Sequence, residues 1–172
     1  MDFIIQNVLN ALQWGSFYAL IALGYTLVYG VLRLINFAHG EIYMIGAFTA
    51  LIVISVLTML GWNQIAILLI AAGVAVVYSS AYGFTMEKIA YKPLRKAPRL
   101  SALISAIGMS LFLQNYVLLA QTSNFLPYPN LVPEFTFLKP LEHIVRSTEI
   151  VIYLAAALVM VCLTVLIKFT RM

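Results

Sequence analysis

From Phe3 to Leu32, and again from Ile42 to Met86, no side chain carries a formal charge. Runs of that length fold in lipid or not at all, because about 20 mostly apolar residues suffice to cross a bilayer, and in hydrocarbon the backbone must satisfy its own polar groups. Composition agrees: of 172 residues 63% are hydrophobic and 9% charged, with a mean hydropathy of +1.00, whereas soluble domains carry about a quarter charged residues. The expected fold is therefore all-α, a polytopic transmembrane helical protein. Five spans are expected, at roughly residues 12–35, 40–60, 65–86, 100–120 and 149–168, forming a single transmembrane region. Lone Cys162 falls inside the last apolar run and reads as a small buried hydrophobe.

The net charge of +4 does not indicate nucleic acid. Half the basic residues, Lys88, Lys92, Arg95, Lys96 and Arg99, sit in one short segment between two spans. That is a positive-inside pattern, which makes 87–99 a cytoplasmic loop, 121–148 a periplasmic loop and Lys168 and Arg171 cytoplasmic. Counting backward puts the amino terminus outside. The uncharged run from Phe3 is too long for one upright span, which leaves room for its first dozen residues to lie along the interface. A re-entrant turn at 36–41 would change the parity before it and leave the orientation from Ile65 onward. Asp2 stands where a signal peptide would be basic and no small-residue cleavage site follows, so the first span is expected to be retained.

Between the two uncharged runs lies Asn36-Phe37-Ala38-His39-Gly40-Glu41, with Arg33 just before it. Ionisable groups flanked by apolar spans mark a functional hypothesis. One account is a helix boundary: Asn36 caps a helix beginning near Phe37, Gly40 permits a bend or a close neighbour, and Glu41 sits in the first turn near the positive end of the dipole. The other places the same break in a cavity, where free backbone groups and His39 face a transport path. Tyr25 and Thr26 give the first span a semi-polar character suited to a pore or partner surface, with interfacial anchoring the alternative for its other tyrosines, Tyr18 and Tyr29.

Helices in lipid associate through small residues that let backbones approach. Ala71, Ala75, Ser79 and Gly83 recur at four-residue spacing in the third span, and Ala102, Ala106 and Ser110 in the fourth. Both faces are expected to pack against other helices. Gly15 with Ala19, and Gly46 with Ala50, make shorter stripes.

No Gly-Lys dipeptide occurs, so a P-loop is absent and no catalytic ATP site is expected here. No Gly-x-Ser-x-Gly occurs either. His39 and His143 are far apart in the sequence, with no Cys or acidic partner that would complete a metal site. No metal, bound cofactor or catalytic residue is expected. The 121–148 segment holds Pro127, Pro129, Pro133 and Pro140, which favour turns, and Phe125, Tyr128, Phe135 and Phe137 suit an aromatic belt. Glu134 or Glu142 there would suit contact with a docked protein.

The stretch from Gly15 to Phe48, centred on Asn36-Phe37-Ala38-His39-Gly40-Glu41, closely resembles the LivH-type permeases of bacterial branched-chain amino-acid ABC importers. Glu87-Lys-Ile-Ala-Tyr-Lys-Pro-Leu-Arg95 and Leu103-Ile-Ser-Ala-Ile-Gly-Met-Ser110 resemble the same family in the same order. The resemblance implies a transport subunit of the bacterial inner membrane rather than an enzyme. Its partners would be a LivM-type permease subunit, two cytoplasmic ATPase subunits that use ATP, and a periplasmic binding protein delivering leucine, isoleucine or valine. Sister permeases for urea or short amides share much of the signature. Asn36, His39, Gly40 and Glu41, with Tyr25 and Thr26, would shape or line the path or its gate. Family members are considerably longer, so the chain is expected to represent the amino-terminal half, as a fragment, a split-gene product or a truncated gene model. By itself such a half is expected not to transport; a truncated fragment without transport activity is the competing reading.

Overall fold

A computed structural model describes residues 2–32, 36–121, 124, 126–129, 131 and 147–169. The regular elements among them are all helical: α1 (Asp2–Leu32), α2 (His39–Met59), α3 (Gln64–Met86), α4 (Arg99–Ala120) and α5 (Ser147–Phe169). Each contains a stretch long and apolar enough to cross a membrane. Arg33, Phe125, Pro133, Glu134, Phe135, Phe137, Pro140, Glu142 and His143 lie outside the described residues.

Three features differ from the sequence reading. α1 is one unbroken helix of 31 residues that begins ten residues before the expected start of the first span. Gln6, Asn7, Asn10 and Gln13 interrupt its apolarity, but neither Gly nor Pro precedes Gly15 to interrupt its winding. At about 1.5 Å per residue it is roughly 46 Å long, more than the hydrocarbon core of about 30 Å, so a spanning α1 tilts or emerges. Secondly, the 87–99 segment is mostly wound: α3 runs on through a π-turn (Glu87–Tyr91) and a 3₁₀ turn (Lys92–Lys96). Pro93 is tolerated because it falls at the start of the 3₁₀ turn, and only Ala97 and Pro98 are extended before α4. Thirdly, Cys162 is exposed, on an outward face of α5, not buried.

Contacts divide the chain into two units, Met1–Thr26 with Val132–Met172, and Leu27–Leu131. In the first, the Tyr153 hydroxyl on α5 donates to the Leu9 carbonyl of α1 at 2.7 Å. The second holds α2, α3 with its continuation, and α4.

Within the second unit, α2 and α3 form a hairpin closed by a Schellman motif. The N–H of Gly61 donates to Thr58 O at 3.1 Å and that of Trp62 to Leu57 O at 3.2 Å. Gly61 has φ +71°, and Asn63 then caps α3, its Oδ1 accepting the Ile65 N–H at 3.0 Å. Gly61→Ala is expected to destabilise the hairpin by about 1 kcal/mol, the cost of a Cβ in the left-handed region. Thermal unfolding in detergent reads it as a lowered midpoint.

Close backbone approach holds the hairpin along its length. Ala71 is buried with Ile54, Ile67 and Leu131. Further along, a Cβ on Gly46 would fall 2.5 Å from Ser79 Oγ, and one on Gly83 would fall 3.9 Å from Ile42 Cδ1. Thus Ser79 and Gly83 meet α2. A second cluster joins Ala38 just before α2, Ile45 of α2, Met86 at the end of α3, Ala90 and Tyr91 of its continuation, and Ala106, Leu113 and Val117 of α4. Outward faces remain apolar, as at Leu69, Val77 and Leu119, the distribution a bilayer requires.

Candidate functional site

The break before α2 is built from the side chain of Asn36. Its Oδ1 accepts two bonds, from the Ala38 N–H at 3.1 Å and from the Tyr91 hydroxyl at 2.6 Å. The His39 N–H donates to Asn36 O at 3.2 Å, which closes a turn over Phe37 and Ala38. The helix therefore starts at His39 and not near Phe37, and its N-cap is Ala38, which offers no side-chain cap. Asn36 is instead the head of a turn. Gly40 lies in the first helical turn of α2, so the described irregular backbone stops before it.

Asn36 is 9% exposed, Ala38 is fully buried and Tyr91 is 4% exposed. Buried polar groups at such sites need partners, and Asn36 Oδ1 finds one outside its own turn. His39 and Glu41 are half-buried in the first turn of α2. The Ser110 hydroxyl on α4 donates to Glu41 Oε1 at 2.8 Å, and the Ser105 hydroxyl on the same helix lies 3.5 Å from Ala90 O. Ser110 thus has a polar role beyond its place in the small-residue stripe, while Ala102 and Ala106 are buried.

Asn36, Glu41 and Ser110 therefore come together in one unit, with His39 and Gly40 between them in sequence. Tyr25 and Thr26 belong to the other unit, and Thr26 Oγ1 donates to Leu23 O of its own helix at 2.8 Å. Among the described residues, no three His, Cys, Asp or Glu side chains gather in a metal-holding group.

Further along α2 a groove of about 420 Å³ opens against α4. Met44, Ala47, Phe48 and Leu51 line it from α2, Gln114, Val117 and Leu118 from α4, and Asn124, Leu126 and Tyr128 from the segment after α4. It is an apolar trough with a few polar groups, the usual make-up of a small-molecule site. Tyr128 closes one part of it by donating its hydroxyl to Ala47 O. Burial, and then neighbouring Tyr43, push the Tyr128 phenol above its ordinary pKa, so it keeps the proton it donates.

Two features escaped the sequence reading. Tyr91 sits among the basic residues, and its only local sign was being the aromatic member of Glu87-Lys-Ile-Ala-Tyr-Lys-Pro-Leu-Arg95. The groove depends on residues far apart in sequence, and α2 shows it only as an apolar face at three- and four-residue spacing.

Residues 7–172 match the family described as the branched-chain amino acid transport system permease component. This chain belongs to that family. The family member is 44% identical over 175 residues to the high-affinity branched-chain amino acid transport system permease protein LivH of Escherichia coli K12, and 43% identical over 175 residues to LivH of Salmonella typhimurium. Each alignment covers 99% of this chain and 56% of the relative. It is 45% identical over 172 residues to the corresponding protein BraD of Pseudomonas aeruginosa, covering 98% of this chain and 56% of BraD. The permease-family chain thus spans about half the length of these relatives. No solved structure matches it. With five apolar helices it is a multi-pass membrane protein.

Proposed function

We propose that this chain is part of a permease subunit of an ABC importer in the bacterial inner membrane, forming part of the path for branched-chain, hydrophobic amino acids. The observation that carries the reading is identity of 43–45% over nearly the whole chain to permease proteins named for branched-chain amino acid transport. The groove between α2 and α4 suits such a path, since Met44, Phe48, Leu51, Val117 and Leu118 match an aliphatic side chain and Gln114 and Tyr128 offer hydrogen bonds to its polar end. Asn36, His39, Gly40 and Glu41 would form the narrow, polar start of α2 beside it. Two cytoplasmic ATPase subunits would supply the energy, a LivM-type subunit the companion permease, and a periplasmic binding protein the substrate. The basic segment containing Lys88 and Lys92 would face the cytoplasm and the segment after α4 the periplasm.

The test is ATP-dependent uptake of labelled leucine against urea in cells lacking their own importer. The chain is expressed together with the region that completes the length of its relatives and with candidate partners. Leucine uptake that requires this chain is expected; urea uptake moves it to another substrate class, and no uptake from a verified assembly overturns the transport reading. The chain expressed with the partners but without the remaining permease region is expected to give no uptake above background.

A further inference from the structure

The π-turn after α3 has a specific consequence for one side chain. In an α-helix, residues five apart are rotated by about 140° from one another, at 3.6 residues per turn. Here the Lys92 N–H donates to Glu87 O, a five-residue bond, and the wider turn brings the fifth residue back over the first. Met86, Ala90 and Tyr91 consequently share one buried face, 2%, 8% and 4% exposed. Wound as an α-helix, the segment would turn Tyr91 away from α2. Single π-turns are uncommon and frequently mark functional positions.

That face ends on the Asn36 turn. The Tyr91 hydroxyl reaches Asn36 Oδ1, the atom that also receives the Ala38 N–H. The turn in turn launches α2, whose first turn carries Glu41 onto Ser110 of α4. One phenol therefore ties the end of the α3 continuation to the head of α2, across 55 residues of sequence. Immediately beyond Tyr91 lie Lys92, the Pro93-containing 3₁₀ turn and the extended Ala97–Pro98 link.

We propose that Tyr91 is a positioning residue for transport: its bond to Asn36 transmits displacement of the Glu87–Lys96 extension to the start of α2 and to Glu41 behind it. This rests on the reading of the chain as an ABC permease, in which the extension lies on the cytoplasmic side of the membrane, the side where the ATPases act. Tyr91→Phe keeps the ring that fills the core and removes only the hydroxyl.

In the complete importer, Tyr91→Phe is expected to lower the maximal rate of leucine uptake and the leucine carried per ATP hydrolysed by about fivefold, the factor set by one neutral hydrogen bond, with KM within about twofold. Asn36→Ala combined with Tyr91→Phe is expected to transport no worse than Asn36→Ala alone, since both remove the same link. Wild-type uptake per ATP in Tyr91→Phe, or effects that multiply in the double variant, overturns the proposal. Hydrogen exchange at Ala38, His39 and Ile42, with and without a non-hydrolysable ATP analogue, supplies an arm independent of substrate. A nucleotide-dependent change at these amides that Tyr91→Phe abolishes supports the link; its persistence in Tyr91→Phe, or no change in the wild type, overturns it. An importer that takes up no leucine yet shows the Tyr91-dependent change condemns the substrate assignment and not the link.

Discussion

Gly46→Leu is expected to destabilise the α2–α3 pair by about 3 kcal/mol, the upper part of the range for overpacking, and Gly46→Ala by about 1 kcal/mol. A Cβ at this position falls 2.5 Å from Ser79 Oγ but 3.8 Å from Ser79 Cβ, so the conflict is with one oxygen. That oxygen donates to Ala75 O at 2.7 Å. For alanine the hydroxyl is able to swing aside at the loss of this bond. For leucine the atoms beyond Cβ run into α3, and the helices must separate, forfeiting the close packing that holds helices together in lipid. Ser79→Ala removes the obstructing atom and leaves an ordinary contact. Gly46→Ala with Ser79→Ala is therefore expected to be about as stable as Ser79→Ala alone. Denaturation of the four proteins in micelles checks this; additive losses for the two alanine changes would show that Gly46 and Ser79 do not meet.

The long apolar helices were legible because their signal is local. α2, α3, α4 and α5 depend on apolar runs ended by Gly61, Asn63, Pro98 and charged residues, all visible one segment at a time. Small-residue spacing likewise pointed to faces on α3 and α4 without saying which helix each would meet. The winding of 87–96 was not legible, because the segment 87–99, with two prolines and five basic residues, reads as a loop, while the π-turn depends on tertiary burial of Met86, Ala90 and Tyr91. The same holds for the break. Asn36 carries the local signature of a cap, but its oxygen is shared with a tyrosine 55 residues away, and the helix begins two residues later than the cap reading implies. Local propensity yields where a buried hydrogen bond from another element competes for the same atom.

Glu41 shows how far that reasoning extends to the site. It occupies the first turn of α2, where the helix dipole favours an acidic side chain, and this was readable from sequence alone. Its partner on α4 was not. Because Ser110 donates to Glu41 Oε1 at 2.8 Å in a half-buried position, Ser110→Ala is expected to destabilise the second unit by about 2 kcal/mol, the cost of leaving such an acceptor without its donor. Glu41→Leu with Ser110→Ala removes both partners and is expected to be more stable than Ser110→Ala alone, since replacing a complete polar pair by apolar groups is far less costly than breaking it. Unfolding measurements on the three variants check the pair. Glu41→Gln keeps an accepting oxygen for Ser110 while removing the titratable group, so its stability is expected to stay within about 1 kcal/mol of the parent. Leucine uptake by that variant then reads the chemical role of Glu41 separately from its packing: reduced uptake at matched expression is expected, and normal uptake by both Glu41→Gln and His39→Gln removes these two residues from the transport step.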